Sequence, residues 1–552
     1  MGNLIMALAA FTGSQAPAKS VVALPETGTA DAGIASQPIA DVAANDSVNG
    51  KPATLGPSGN ATVSPIGSWR SGVGLNTETG AVTTTAALAA ATYKLPYRLC
   101  DRKAPANCAA ATDTVVVMPP ATEVQVSTVP MVDIEFDWGR DGVSCAPCND
   151  GEGNARFNWT DKRGNLWVGH IDPLSGAFTP PTGNDELADT TAFFSAEFGN
   201  GPEWAFSTAN GQVLSQLVYA RYPPGMPEAA PNAGAAFATQ GPSGWSATFF
   251  PGTTPISIGG TMTTDNPSAS QCNADPVALT YFYDTATPPN VYWEPLSSAA
   301  GTAPTLTPLS SYANVHVSGG KPSIRWVPCT HWMVFVGDAP PDASGNVYQQ
   351  VFWYDIDSQA VQQLTVDAVN HGEAYLFQAP EFGDAYALYT IANGTEIDVY
   401  GQTGSAPNGA PTLEVVNRIT STDPAEPYIA GTEPFINCTP HCQTYVFMRL
   451  QSEASYGGSA GQNTNGVAVG AIDPIHPLFK ILVPQAADPH IQRIDLEYFI
   501  TANGPYLYYD RSTLTPGEPF VWGNRYYIDM QLGAPSGPCV GSSAEGGLLP
   551  GC

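Results

Sequence analysis

Along most of this chain apolar and polar residues alternate in short runs, each cut off by a turn-forming pair. Glu203-Trp204-Ala205-Phe206-Ser207-Thr208-Ala209 leads into Asn210-Gly211, and Leu217-Val218-Tyr219-Ala220-Arg221 follows. A period-two run on each side of Asn-Gly predicts a β-hairpin, because both turn residues tolerate positive φ. The same plan returns at Glu497-Tyr498-Phe499-Ile500-Thr501, Asn503-Gly504 and Tyr506-Leu507-Tyr508-Tyr509. A third Asn-Gly pair, Asn393-Gly394, follows Tyr386-Ala387-Leu388-Tyr389-Thr390. Weaker copies begin near Glu135-Phe136, Thr280-Tyr281, Arg325-Trp326, Glu381-Phe382 and Glu433-Pro434-Phe435. The starts lie roughly 45–80 residues apart, a spacing that suits four-stranded propeller blades with long loops. Seven blades are favoured, and five or six stay open because two copies are weak.

Upstream the pattern differs. Residues 20–118 hold short Thr/Val/Ala strands between Gly, Asn and Pro turns, with almost no helical periodicity, and predict a small β-sandwich. Three pieces carry a likeness: Ala44-Asn45-Asp46-Ser47-Val48-Asn49-Gly50, Leu75-Asn76-Thr77-Glu78-Thr79-Gly80-Ala81-Val82, and the run from Tyr93 through Cys100 and Cys108 to Val117. This stretch resembles the Ig-like repeat domains of bacterial surface and secreted proteins, and the resemblance implies a non-catalytic spacer. The later repeats look like secreted bacterial β-propellers in architecture alone. The expected organisation is a 1–19 N-terminal segment, a 20–118 Ig-like β-sandwich, a 119–130 linker, a 131–533 β-propeller and a 534–552 tail. The fold class is all-β.

Composition narrows the function classes. The net charge is −29 and charged residues make up only 12% of the chain. Such a surface repels phosphate backbones and argues against nucleic-acid binding. No run is long enough to span a membrane as an apolar helix. The ten cysteines fall into sequence neighbours: Cys100 and Cys108, Cys145 and Cys148, Cys272 and Cys329, Cys438 and Cys442, Cys539 and Cys552. An even count with local spacing suits disulfides in an oxidising compartment, while connectivity stays open. The expected location is extracellular or on the cell surface. The apolar start, Met1 to Phe11, is short and lacks a basic flank, which makes it a poor signal peptide, and the expectation is an exported protein whose true leader is atypical or missing from this chain.

Candidate chemistry follows from the repeats. The position at or just before the first aromatic of each copy holds Glu135, Glu203, Thr280, Arg325, Glu381, Glu433 and Glu497. If these begin the innermost strands, alternation sends the aromatic between blades and the acid toward the axis. Clustered carboxylates must then be protonated, paired or bound to a cation. Glu203, Glu381 and Glu497 are candidates for acid/base or nucleophilic work of the glycosidase kind. Arg325, Glu135, Glu433 and His371 are candidates for substrate binding. Ca²⁺ is an alternative occupant, to which Asp141, Asp150 and Glu152 would contribute oxygen ligands. The bland reading keeps all these acids as turn, cap or solvated residues. Gly457-Gly458-Ser459-Ala460-Gly461 matches a nucleophile elbow in spelling but sits in a Gly/Ser/Asn loop without strand or helix. The expectation is a carbohydrate-binding or carbohydrate-processing propeller with a glycan or small-molecule ligand. The competing expectation is a non-enzymatic surface, adhesion or filament protein that self-associates.

Overall fold

Twisted strands with one apolar edge toward a shared axis can bury that edge only by stacking sheets around it, and the later part of this chain does so. A computed structural model describes residues 20–33, 35–119, 121–136, 155–181, 186–193, 201–209, 212–227, 233–250, 262–263, 279–284, 290–295, 305–311, 317–318, 321–328, 330–383, 385–438, 442–452, 464–484, 490–514 and 521–534. Regular structure there is strand, apart from short 3₁₀ turns. The chain divides into two compact units, Met1–Pro120 and Ala121–Cys552.

In the first unit, Thr27–Asp31 pairs in parallel with Ala104–Met118, which pairs antiparallel with Ala91–Asp101, beside Ala61–Pro65. Val63, Leu95, Tyr97, Leu99, Val115 and Val117 form one buried cluster from the alternate inward positions of these strands, joined by Val82 of the strand Val82–Thr84 in a second sheet. A disulfide joins Cys100 and Cys108 across the long hairpin.

In the second unit the first strands of seven successive sheets are Val132–Phe136, Glu203–Ala209, Met262–Thr263, Ile324–Val327, His371–Ala379, Tyr428–Cys438 and Ile491–Thr501. Each packs against the next, and Ile491–Thr501 packs against Val132–Phe136, so the ring closes. These are the innermost strands of blades 1 to 7 of a β-propeller. Every later strand of a blade adds antiparallel to the one before it, except that in blade 1 both Phe178–Thr179 and Glu186–Asp189 pair with Leu166–Ile171. Residues 119–130, expected as a linker, contain a strand instead: Val124–Pro130 pairs with Val521–Asp529 and forms the outer edge of blade 7. Glu123 anchors that strand by accepting hydrogen bonds from Arg493 Nε at 2.9 Å and Tyr509 Oη at 2.8 Å.

The core lies between blades. Phe136 of blade 1 meets Phe499 and Tyr508 of blade 7, with Phe157 and Phe178 stacked at 4.1 Å beside it. Trp204 of blade 2 packs on Leu166 and Val168 of blade 1. Trp326 of blade 4 meets Tyr281 of blade 3, and Phe435 of blade 6 meets Tyr498 of blade 7. Aromatic contacts of this kind contribute about 0.5–1.5 kcal/mol each beyond their area. The aromatics next to the repeated acids therefore hold neighbouring blades together.

Candidate functional site

The innermost strands share a local irregularity near their beginnings. Asp133, Glu373 and Asp495 have φ of 51°, 37° and 55°, and Gly431 has φ of 56°. At each, the register with the second strand shifts, which marks a β-bulge. The bulges turn the strand so that its side chain reaches the next blade. Glu373 of blade 5 accepts from Gly431 N at 3.0 Å, Thr432 N at 2.8 Å and Thr432 Oγ1 at 3.0 Å, all in blade 6. Asp495 of blade 7 accepts from Ile134 N of blade 1 at 3.2 Å. Asp133 of blade 1 lies directly against Gly201, which leads into blade 2 and leaves no room for a Cβ. Glu373 and Asp495 thus fasten their blades to the following ones, and Asp133 packs against the entry to blade 2.

Two residues beyond the bulge stand Glu135, Glu433 and Glu497, and Glu203 follows Gly201 at the same offset. Together with Arg325 of blade 4, five of the seven aligned positions lie on innermost strands. Glu203 and Glu497 are each only 6% exposed, so they sit within blade contacts rather than along a water-filled wall. Buried arginines lie on neighbouring strands. Arg156, on the second strand of blade 1, reaches Gln240 Oε1 at 2.7 Å and Ser215 Oγ at 3.0 Å and lies over the Trp204 ring. Arg525 of blade 7 is fully buried between Asp495 and Asp510. Burial pushes the Asp510 carboxyl well above the usual range, against the pull of Arg525. Arg325 donates from Nε to Tyr375 Oη of blade 5 at 3.0 Å. Arg449 faces Glu373, Glu433 and Asp495, and burial lowers its pKa against their attraction.

Two aligned positions fall elsewhere. Thr280 is on the second strand of blade 3, Leu279–Tyr283, because the innermost strand Met262–Thr263 carries no aromatic signal. Glu381 lies in the 3₁₀ turn Pro380–Phe382, after the innermost strand of blade 5 has ended. It stands roughly 20 Å from Glu373, at about 3.3 Å per residue of strand. Glu381 accepts from Thr444 N at 3.2 Å and Thr444 Oγ1 at 3.0 Å, and burial raises its pKa to about 7. Asn393-Gly394 joins the second and third strands of blade 5, not the first and second, and the acid–aromatic pair Glu381-Phe382 stands between the first and second.

At the end where the innermost strands begin, a cavity of about 400 Å³ opens between blades 4, 5 and 6. Ser323, Gln349, Asn370 and Asn393 give it a polar lining, and Val336 and Ile391 an apolar one. Asn370 Oδ1 accepts from Gln349 N at 3.0 Å, and Asn393 Oδ1 accepts from Asn370 N at 3.3 Å. With both amide oxygens held by the backbone, the amide NH₂ groups remain as donors. His371 and Glu373 also border the cavity. The His371 imidazole is fully enclosed, its Nε2 2.9 Å from Asp367 Oδ1 and its Nδ1 without a hydrogen-bond partner. Its role is that of an enclosed residue beside the cavity rather than a solvated one.

Among the described residues no group of His, Cys, Asp or Glu is placed to hold a metal ion. Asp141, Asp150, Glu152 and Ser459 lie outside the described residues, as do Cys145, Cys148, Cys272, Cys329, Cys539 and Cys552. Cys442 is disulfide-bonded, and Cys438 stands opposite it in the hairpin register. No helix among the described residues is long and apolar enough to cross a membrane.

No family model matches the chain, and no curated protein matches it by sequence. Solved structures resemble it weakly. A Trypanosoma rangeli sialidase in complex with sialic acid is 9% identical, with 69% of this chain and 59% of the sialidase covered and a TM-score of 0.34. An Aleuria aurantia lectin mutant in complex with Fucα1-6GlcNAc is 10% identical, with 66% of this chain and 100% of the lectin covered and a TM-score of 0.32. A Fusarium graminearum α-L-arabinofuranosidase mutant with an iminosugar inhibitor is 11% identical, with 64% and 97% covered and a TM-score of 0.34.

Proposed function

We propose that the propeller is an extracellular carbohydrate-binding module whose ligand enters the cavity between blades 4, 5 and 6. The observation that carries this reading is the cavity's lining. A saccharide ring offers hydroxyls around its rim and C–H groups on its faces. The amides of Asn370, Asn393 and Gln349 with the Ser323 hydroxyl suit the rim, while Ile391 and Ala430 suit a face. The reading is of binding rather than turnover, because Glu373, the carboxylate bordering the cavity, is already committed to Gly431 and Thr432. The ligand class is neutral, since the neighbouring charges are acidic.

The test is titration calorimetry of the full chain with neutral oligosaccharides chosen from a glycan array. Asn393→Gly combined with Gln349→Leu should weaken binding at least about tenfold, as each hydrogen bond is worth about 1 kcal/mol. The melting temperature should stay within about 2 °C of the parent, because glycine keeps the positive φ of 48° at position 393, Asn393 is exposed and Gln349 is only half-buried. Absence of wild-type binding to any neutral glycan, or an unchanged affinity in the double variant, overturns the reading.

A further inference from the structure

The first unit holds a group of acids packed close together. Tyr97 is fully buried, and its hydroxyl donates to Leu24 O at 3.0 Å and to Asp46 Oδ2 at 2.8 Å. The one phenol proton is shared between them. Asp46 Oδ1 accepts from Leu24 N at 2.7 Å, so both oxygens of this acid have a donor.

Asp113 supplies an independent observation. It is fully buried on the strand Ala104–Met118. Its Oδ1 accepts from Glu26 N at 2.8 Å, and its Oδ2 is enclosed with no partner. An ionised carboxylate with one bare oxygen in such a site is costly, and three things can neutralise it: a cationic side chain, a metal or a proton. The charged or titratable groups acting on it are Glu26 and Asp46, and Asp41 acts on those two in turn; all are acids. Tyr97 is the remaining titratable neighbour. Lys94, on the adjacent strand, turns outward to Thr114 Oγ1. No metal-holding group exists among the described residues. The proton remains.

We propose that Asp113, crowded by Glu26 and Asp46, holds a proton in the folded first unit and makes that unit a pH-sensitive element, tightest in acidic medium and loosened as pH rises through neutrality. Burial raises the pKa of Asp113 to about 7 and also raises those of Asp46 and Glu26, with mutual repulsion adding to each. A carboxyl whose folded pKa is raised contributes stability fully present below its unfolded value near 4, and this contribution is lost as pH climbs through the folded one. Its direction is opposite to that of a salt-bridged acid.

The test is hydrogen-exchange mass spectrometry on the full chain between pH 5.5 and 8.5, corrected for the intrinsic pH dependence of exchange. Peptides covering 20–48 and 91–118 are read against peptides of blade 2, away from the raised acids Glu381 and Asp510, as internal reference. In the parent, protection of the first unit should fall at least about tenfold over this range, relative to the propeller. Asp113→Asn imitates the protonated acid and should flatten the fall, with greater protection than the parent at pH 8.5. Asp46→Asn serves as a second variant if Asp113→Asn does not fold. Parent protection that is flat or rises with pH overturns the proposal, as does an undiminished fall in a folded Asn variant.

Discussion

Replacing Glu373 removes the link between blades 5 and 6, and the structure allows its cost to be worked through. The carboxylate accepts hydrogen bonds from Gly431 N, Thr432 N and Thr432 Oγ1. Hydrogen bonds to a charged group contribute about 1.5–3 kcal/mol each, but bonds sharing one carboxylate are not additive. Thr432 is 1% exposed, so losing the acceptor strands its donors in a buried site. Arg449, which feels Glu373 together with Asp495 and Glu433, loses part of its compensation as well. Glu373→Ala should therefore cost about 3–5 kcal/mol, the range found when one partner of a buried charged network is removed. Glu373→Gln keeps one acceptor oxygen and should cost about half as much. For a unit of this length the unfolding entropy translates 1 kcal/mol into about 1 °C, so calorimetry should show the propeller transition lowered by roughly 3–5 °C and 2 °C. Hydrogen exchange at the Thr432 amide should accelerate in the same order. A Glu373→Ala protein that melts within 1 °C of the parent, with Thr432 exchange unchanged, would refute the account of the bulge acids as inter-blade fasteners.

Two further outcomes are expected. Burial raises Glu381 to about 7, so its contribution is present at pH 5 and lost as pH rises through 7. Glu381→Gln should gain on the parent by on the order of 1 kcal/mol at pH 8, allowing for partial exposure, and a melting difference that does not grow between pH 5 and pH 8 would contradict this. Arg525→Met leaves Asp495 and Asp510 without their cation and should destabilise by about 3–5 kcal/mol; adding Asp510→Leu should recover part of the loss in the same denaturation assay.

Much of the architecture was written in local pattern. The run from Glu203, like the runs from Glu497 and Tyr506, folds as the strands its alternation predicts, because period-two runs need no distant partner to declare themselves. Blade 5 shows the limit. Its Asn-Gly turn follows the second strand, and the acid–aromatic pair Glu381-Phe382 stands between the first and second strands, so the pair marks Glu381 in place of Glu373. Blade 3 shows another, since an innermost strand as short as Met262–Thr263 has no periodicity to read. The fastening acids were missed because bulges obey no period. Their trace is nonetheless visible as a residue tolerant of positive φ two places before the repeated Glu, in Asp133-Ile134-Glu135, Gly431-Thr432-Glu433 and Asp495-Leu496-Glu497. The buried arginines were hidden differently: Arg156 and Arg449 are single charges inside their strands and Arg525 shares its strand only with Asp529, and only the three-dimensional stacking reveals what they face. The cavity was illegible for the same reason, being assembled from three blades.

The strand Val124–Pro130 has a bearing on how the molecule comes into being. Its partner, Val521–Asp529, lies nearly the whole length of the unit away in sequence. During synthesis this early strand leaves the ribosome first and has nothing to pair with until the last blade has followed it. Closing a loop of about 400 residues costs roughly 5 kcal/mol of chain entropy, beyond a constant, before any contact repays it. Sealing the ring by this pair must wait for the last blade, and until then both strands, Val124–Pro130 and Val521–Asp529, have an edge without its partner. The chain's assembly is a race between finding its own beginning and meeting a neighbour's.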